Sequence, residues 1–216
     1  MTRSSLRAVI LDLDGTLIDS NDAHARAWVT SFQQHGFDVS FEQVRPLMGM
    51  GGDKVVPKLT GVDAESDVGK ALTKGWGEAF KPMIATLKAT PGAAELVTGL
   101  RELSLKIMLG SSGEDEIVEK ELQHLGLEQL NGSRVTSSEV ESSKPDADIL
   151  GVALKKLGTT ADETLMVGDT VYDAEAARKA GVRCALLRCG GNTDLSGEVY
   201  SDPAALLAAL RGNVRE

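Results

Sequence analysis

Two aspartates separated by one leucine follow a short apolar run near the start of the sequence. Residues 8–15 read AVILDLDG, so Asp12 and Asp14 come directly after four residues that would form a buried strand. Burying two carboxylates costs free energy unless cations or hydrogen bonds compensate. Packing alone does not explain the pair, which makes both acids candidates for chemistry.

Further polar side chains follow the other apolar, β-rich runs of the chain. In open α/β sheets, ligands bind at the carboxyl ends of the strands, so side chains that follow successive strands should converge. The side chains expected at this edge, besides Asp12 and Asp14, are Ser111, Lys144, Asp169 and Asp173.

A cluster of this kind repels itself unless a cation lies within it. Carboxylate oxygens are hard ligands that suit Mg²⁺, an ion that keeps several waters and often shares its shell with a substrate phosphate. The acids therefore predict a magnesium ion, and the magnesium ion predicts a small phosphorylated metabolite as ligand. A calcium loop of the EF-hand type is excluded by spacing, because its sixth position needs glycine and its twelfth needs glutamate.

The two aspartates can be given different tasks in this site. Asp12 could attack phosphorus and form an aspartyl-phosphate, a known form of nucleophilic catalysis by carboxylates. If the strand continued past Asp12, Asp14 would point to the same side and could move protons as a general acid and base.

The later residues would bind the phosphate and complete the metal site. Lys144 would neutralise phosphate oxygens, and Ser111 would donate a hydrogen bond at a helix N-terminus, where Ser111 and Glu114 form a capping box pattern. Asp169 would bind the metal, with Asp173 behind it. Taken singly, Ser111 could be only a helix cap, Lys144 a loop lysine and Asp169 a turn residue; their joint placement favours the functional interpretation.

The elements that must position these residues alternate between strands and helices. This alternation is typical of a parallel sheet with helices on both faces, an α/β fold. The expected strands are Ala8–Leu11, Lys106–Leu109, one at Val135, Thr164–Val167 and Cys184–Leu187.

The alternation of strands and helices is interrupted between Ser20 and Lys88, where the hydrophobic pattern predicts consecutive helices and no strand. We expect a helical cap at 18–87 inserted into a core formed by 1–17 and 88–216. The glycine-rich MGMGGDK stretch predicts a loop, and the segment from Arg45 to Lys54 is a candidate specificity loop or a plain helix connection.

Composition excludes several classes of function. The net charge of −9 argues against nucleic acid, because binding to phosphate backbones needs clustered Lys and Arg. No apolar run reaches the roughly 18 residues of a membrane span, and the first six residues lack the apolar core of a secretory signal. We therefore expect a cytoplasmic protein without membrane contact, and no motif indicates a protein partner.

Four motifs occur in order along the chain: DLDGT at 12–16, IMLGSS at 107–112, SKPD at 143–146 and MVGDTVYDAEAARKAG at 166–181. Together they resemble the motifs of the haloacid dehalogenase-like (HAD) hydrolase superfamily. The resemblance implies a Rossmann-like core with a helical cap, and Mg²⁺ held by Asp12, the Asp14 backbone carbonyl and Asp169. It also implies that Ser111 and Lys144 bind the substrate phosphate.

Two further hydroxyls within these motifs are assigned to the same phosphate. Thr16 ends the first motif and Ser112 ends the second. The resemblance makes both of them candidate phosphate ligands.

Differences among branches of the superfamily favour phosphate esters. Dehalogenases lack an acid two residues after the nucleophile and phosphonatases usually have alanine there, whereas this chain has Asp14. The phosphonatase cap also supplies a lysine, and Lys54 is offset from it by two positions, with Gly52 in its place. Hydrolysis of a small phosphate monoester, of the sugar phosphate or phosphoglycolate type, is the leading prediction.

Three alternative functions rank below hydrolysis of a phosphate monoester. A β-phosphoglucomutase-like enzyme is favoured by His24, which matches a cap histidine of that branch, and disfavoured by Gly52, where the mutase has a phosphate-binding arginine. A phosphonatase comes next, since GDTVYD resembles its fourth motif. A non-enzymatic receiver-like domain comes last, because the residues after Val135 read TSSEVES and offer no aspartate to phosphorylate.

Overall fold

The computed structural model describes residues 6–213 as an α/β fold built on one parallel sheet. Its six strands lie in the order β3-β2-β1-β4-β5-β6, and every neighbouring pair is parallel. The strands are β1 (Ala8–Leu11), β2 (Lys106–Gly110), β3 (Arg134–Val135), β4 (Thr164–Gly168), β5 (Arg183–Leu187) and β6 (Glu198–Tyr200). The α/β prediction is confirmed.

The helices are divided between an insertion after β1 and the connections of the sheet. The insertion contains α1 (Asn21–Gln34), α2 (Phe41–Val44), α3 (Gly52–Thr60) and α4 (Asp67–Phe80). The connections contain α5 (Ala93–Glu102), α6 (Asp115–His124), α7 (Asp148–Leu157) and α8 (Val171–Ala180), and α9 (Pro203–Asn213) follows β6. None of the helices in the described part of the chain is both long and apolar enough to cross a bilayer.

The four residues of β1 are completely buried because helices cover both faces of the sheet. Side chains alternate between the faces of a strand. Val9 and Leu11 therefore belong to the core on the side of α5 and α9, while Ala8 and Ile10 belong to the core on the side of α7 and α8.

The inserted helices have an apolar core of their own. Trp28 and Phe32, four residues apart on α1, pack with Leu72, Trp76 and Phe80 of α4. Residues three and four apart lie on one face of a helix, so both helices bury one aromatic face against the other. This supports a helical cap; its boundaries at 18 and 87 stay a prediction.

Local signals were read correctly in some places and wrongly in others. Gln43 accepts a hydrogen bond from the Ser40 backbone N–H, and the two residues form a capping box before α2. The glycine-rich loop is shorter than expected, because Gly52 already opens α3. The capping box at Ser111 is wrong: α6 begins at Asp115 with Glu114 as its N-cap, so Ser111 lies three residues before the N-cap.

The position of β1 creates the crevice in which ligands bind in such folds. β1 lies between β2 and β4, so the chain connections leave the sheet in opposite directions on its two sides. Open α/β sheets bind ligands at this switch point, beyond the carboxyl ends of the strands. Asp12 is the first residue past the end of β1.

Candidate active site

A tight turn after β1 places the two aspartates. The Asp12 N–H donates to the Val167 carbonyl at 2.8 Å, which holds Asp12 beside β4. The chain then turns at Gly15, whose φ of 74° lies in the left-handed region, and the Gly15 N–H donates to Ile18. Asp14 is thus positioned by this turn, which corrects the expectation that a continuing strand would carry it.

Lys144 is completely buried between two carboxylates. Its Nζ donates to Asp12 Oδ1 and, at 2.7 Å, to Asp173 Oδ1. Burial lowers the lysine pKa, but the charges of Asp12 and Asp173 outweigh this and raise it above its usual value. The lysine therefore stays positively charged inside the site.

Asp169 has one oxygen bound and one free. The side-chain amides of Asn21 and Asn192 donate to Oδ2 at 2.7 and 2.8 Å, whereas Oδ1 is buried without a hydrogen-bond partner among the described residues. Burial, then the charges of Asp12 and Asp173, raise the pKa of Asp169 well above its usual value. The free oxygen is an available metal ligand.

The donor set suits a divalent cation. Oxygens of Asp12, Asp169 and Asp173 lie within 4.8 Å of one another. Three carboxylates and the single positive charge of Lys144 leave two negative charges, which Mg²⁺ would balance. Burial raises the pKa of Asp12 to about 7, although the charge of Lys144 acts to lower this pKa. Without a bound divalent cation, Asp12 is therefore protonated more readily than an ordinary aspartate.

Asp14 is held in a separate pair with a cap histidine. Ser20 Oγ donates to Asp14 Oδ1 at 2.6 Å, and His24 Nε2 lies 2.7 Å from the same oxygen. Burial raises the pKa of Asp14, but the charge and hydrogen bond of His24 outweigh it and lower the pKa to about 2. Burial lowers the pKa of His24, but the charge and hydrogen bond of Asp14 outweigh burial and raise this pKa to about 10.

Glu121 of α6 is a buried acid beside this pair that the sequence patterns did not indicate. Its Oε1 lies 3.7 Å from His24 Nε2, and neither carboxylate oxygen has a hydrogen-bond partner in residues 6–213. Burial, followed by the charge of Asp14, raises its pKa to about 8. The ring of His24 stacks on Phe80 of α4 at 3.7 Å, while its Nε2 faces Asp14 and Glu121, so residues of the insertion and of the core meet at this point.

The predicted phosphate ligands lie around Lys144 and Asp12. Thr16 Oγ1 donates to Asp12 Oδ2 at 3.2 Å. Ser111 is buried and its Oγ accepts a hydrogen bond from Gly113, while Ser112 Oγ accepts one from the Lys144 backbone at 3.4 Å. Hydroxyls from two strand ends are therefore available to an anion bound next to Asp12.

A small cavity of about 40 Å³ lies over the two aspartates. Its wall includes Asp12, Asp14, His24 and the middle of the glycine-rich loop at 48–52. A larger cleft of about 570 Å³ adjoins it. The residues common to both linings are Trp28, Gly52, Trp76 and Ser112.

The ends of the candidate specificity loop are held by core loops. Arg45 donates to Asp22 at 2.6 Å and to the Gly190 carbonyl at 2.7 Å, and Lys54 donates to Ser142 at 2.7 Å. Neither Arg45 nor Lys54 is among the described residues that line the two cavities. Their part in substrate choice stays a prediction, whereas the glycines between them border the site.

The sequence patterns also did not indicate two asparagines that hold Asp169. Asn21 opens α1 and Asn192 lies in the loop after β5, far apart in sequence, and both donate to Asp169. Amide side chains at such positions are common in turns and at helix ends. No local pattern distinguishes these two from ordinary capping residues.

Comparison with known proteins gives consistent results. The chain is 29% identical over 187 residues to the N-acetylmuramic acid 6-phosphate phosphatase of Pseudomonas putida, covering 86% of this chain and 84% of that protein. It is 30% identical over 202 residues to protein SUPPRESSOR OF QUENCHING 1, chloroplastic, of Arabidopsis thaliana, but spans only 19% of that longer protein. The crystal structure of a hydrolase from Pseudomonas syringae matches with a TM-score of 0.88 at 29% identity, covering 95% of this chain and 98% of that one.

The sequence profile of one family covers most of the chain. Residues 9–187 match the haloacid dehalogenase-like hydrolase profile, a range that includes all four motifs and every residue of the acidic cluster. The protein is therefore a member of the haloacid dehalogenase-like hydrolase family.

Proposed function

We propose that this protein is a magnesium-dependent phosphatase that hydrolyses a small phosphate monoester through an aspartyl-phosphate on Asp12. The observation that carries the proposal is the buried group of Asp12, Lys144 and Asp169 beneath a cavity large enough only for a small group such as phosphate. The phosphatase name of the Pseudomonas putida relative supports it.

Magnesium is part of the same proposal. Asp12 and Asp169 would hold it, together with the Asp14 backbone carbonyl that the family resemblance indicates. The bound ion would neutralise charge on the phosphate oxygens and orient the phosphoryl group. The free Oδ1 of Asp169 and the two uncompensated negative charges support this assignment.

In the first half of the reaction, an Asp12 oxygen attacks phosphorus and the bond from phosphorus to the alcohol oxygen breaks. Lys144 stabilises the negative charge of the nucleophile and of the phosphoryl oxygens. The leaving alcohol takes a proton through Asp14. His24 Nε2 lies 2.7 Å from Asp14 Oδ1, and the proton on this nitrogen is the one that the pair can supply.

In the second half, Asp14 acts as a base. Once His24 has given up its proton, its positive charge no longer lowers the pKa of Asp14, and the carboxylate can accept a proton from the water that attacks phosphorus. Passing that proton to His24 Nε2, 2.7 Å away, restores the pair. The bond between phosphorus and the Asp12 oxygen breaks, which releases phosphate and restores the carboxylate. The inserted helices, proposed as a cap at 18–87, would restrict the access of water to this step.

The test is hydrolysis of p-nitrophenyl phosphate by the purified protein with Mg²⁺. Activity should disappear with EDTA and return on adding Mg²⁺ in excess. Hydrolysis that persists fully in EDTA would overturn the magnesium assignment. Fractionation of cells tests the accompanying proposal that the enzyme acts in the cytoplasm.

A mutase is the second candidate, favoured by the contact between His24 and Asp14. Its bisphosphate intermediate needs a cation that binds the distal phosphate, and Gly52 stands where the mutase arginine would be. The assay supplies β-glucose 1-phosphate with a bisphosphate primer. Formation of glucose 6-phosphate faster than free phosphate would reverse the ranking.

A further inference from the structure

The larger cleft lies where the alcohol part of a bound ester would extend. Its wall is formed by α3 and α4 of the insertion and by the core loops that follow β2 and β3. It shares Trp28, Gly52, Trp76 and Ser112 with the small cavity over Asp12. Its volume of about 570 Å³ is within the range of small-molecule pockets and leaves room for a group of sugar size.

The positive charges of this cleft are already paired. Its lining contains three lysines and no arginine among the described residues, and each lysine lies near a carboxylate. The pairs are Lys70 with Glu65 at 3.5 Å, Lys74 with Glu78 at 3.7 Å and Lys81 with Glu116 at 2.8 Å. Each lysine of the lining therefore has a carboxylate neighbour that offsets part of its positive charge.

The negative charges exceed the positive ones. Five acids line the cleft against three lysines, and Glu114 and Glu141 have no ion-pair partner within residues 6–213. The hydroxyls of Thr73, Ser112 and Ser137 also lie in the wall. The cleft thus offers hydrogen-bonding groups together with a negative potential.

We infer that the substrate is a phosphate monoester whose alcohol part is hydroxylated and carries no second anionic group. This rests on the proposed phosphatase function and narrows its substrate class. A carboxylate or a second phosphate on the alcohol part would face the unpaired acids, and like charges at short range disfavour binding. Monoesters of the sugar type are selected over phosphoglycolate and over bisphosphates.

Gly77 of α4 is a specificity-determining position in this cleft. It is buried and lines the wall, yet a Cβ atom built on it would meet no atom within 4 Å. A side chain placed there would extend into the empty volume rather than collide with the protein. Glycine at this position therefore keeps the cleft wide enough for a large alcohol part.

The first experiment compares three esters of equal size and different charge. These are glucosamine 6-phosphate, glucose 6-phosphate and 6-phosphogluconate, assayed by phosphate release with the full-length protein and Mg²⁺. Each of the first two should exceed 6-phosphogluconate in kcat/KM by about tenfold or more, and the gap should narrow at high salt. Equal or better hydrolysis of 6-phosphogluconate would overturn the inference.

Charge-removing variants test whether the acids of the cleft cause the discrimination against 6-phosphogluconate. The double variant Glu114→Gln, Glu141→Gln should raise kcat/KM for 6-phosphogluconate relative to glucose 6-phosphate. The control is Glu128→Gln, because Glu128 is exposed, lies outside the cleft and is equally without an ion-pair partner in the described chain. An unchanged ratio in the double variant would remove the electrostatic explanation.

A second pair of variants tests Gly77. Gly77→Leu should raise KM for glucose 6-phosphate by a larger factor than KM for acetyl phosphate, whose leaving group is smaller. Gly151→Leu is the matched control, since Gly151 is an exposed helical glycine of α7 whose Cβ would also meet nothing. Equal factors for the two substrates with Gly77→Leu would contradict the assignment.

Binding can be followed separately from hydrolysis. Trp28 and Trp76 are the only tryptophans of the chain and both line the cleft. Titration of their fluorescence with the three esters should rank affinities in the same order as kcat/KM. If no ester is hydrolysed, the proposed function fails; if the binding order is reversed, the substrate inference fails whether or not hydrolysis occurs.

Discussion

The charged group around Lys144 consists of residues that are costly to bury and that the proposed function requires. Lys144, Asp12 and Asp173 are all buried, and they form a chain of charge-assisted hydrogen bonds. Desolvating such groups offsets much of their attraction, so the arrangement stabilises the fold little. In the proposed mechanism, this arrangement positions the nucleophile Asp12 and a cation at one point.

Replacing Lys144 by methionine should therefore affect both stability and activity. Lys144→Met leaves Asp12 and Asp173 buried without a cation, which costs roughly 3–5 kcal/mol of unfolding free energy. Urea unfolding without Mg²⁺ measures this, and phosphate release should fall strongly. Lys120→Met, which removes an exposed pair with Glu116, is the control and should change neither. Unchanged hydrolysis by Lys144→Met would refute its proposed role.

The effect of Mg²⁺ on stability should grow with pH. In the metal-free fold, burial raises the pKa of Asp12 to about 7 and that of Asp169 in the same direction. Their contribution to stability is complete below the unfolded value near 3.8 and is lost as pH rises through the folded pKa. Because Mg²⁺ binds the ionised acids, the rise in Tm on adding it should be larger at pH 8 than at pH 5.

The variant Asp169→Asn provides the control for this measurement. It removes one ligand charge, so most of the Mg²⁺-induced rise in Tm should disappear. An equal rise at pH 5 and pH 8 in the unmodified protein would contradict the metal assignment.

Residue types at strand ends were sufficient to predict most of the charged site. Asp12, Lys144, Asp169 and Asp173 each follow a strand of the sheet, and the structure brings them together as expected. Glu121 could not be predicted, because an acid within a helix is usually exposed and only the packing of the cap makes this one buried.

At the scale of elements, the turn after β1 controls the geometry of the site. Gly15 adopts a positive φ, and a Cβ at this position would overlap the side chains of Asp169 and Asn21. Glycine is therefore required twice, once by the backbone conformation and once by the close approach of metal-site residues.

This double requirement predicts different effects at two glycines. Gly15→Ala and Gly36→Ala both place Cβ on a left-handed residue, which costs about 1–2 kcal/mol of stability each. A Cβ at Gly36 meets no atom within 4 Å, so only Gly15→Ala should also lose Mg²⁺-dependent hydrolysis. Thermal unfolding and phosphate release check this; full activity in Gly15→Ala would show that the overlap is tolerated.

Buried elements with strong patterns were easier to predict than short, partly exposed ones. The sequence interpretation identified the buried strands β1 and β4 and the helical character of the insertion. Strand β6 was missed because its three residues are partly exposed and show no alternation. The boundary at Ser111 was misread because a capping pattern is local, whereas the turn before α6 depends on contacts with the loop after β3.

In the molecule as a whole, the inserted helices are attached to the core on both sides of the site. On one side Gly51 donates to Ser143, the neighbour of Lys144, and on the other Arg45 donates to the Gly190 carbonyl. Movements of the insertion would therefore reach both the lysine and the loop that holds Asp169. Such connections suit a cap that closes over a substrate, and their long range explains why periodicity alone could not indicate them.

The central claim is the covalent intermediate on Asp12. The most direct measurement is an acid quench of the protein mixed with Mg²⁺ and acetyl [³²P]phosphate, followed by mapping of the labelled peptide. The label should be acid-stable, sensitive to hydroxylamine, located on the peptide that contains Asp12, and absent from Asp12→Asn, which should also lose hydrolysis. Hydrolysis without any protein-bound label, or undiminished turnover by Asp12→Asn, would contradict the account.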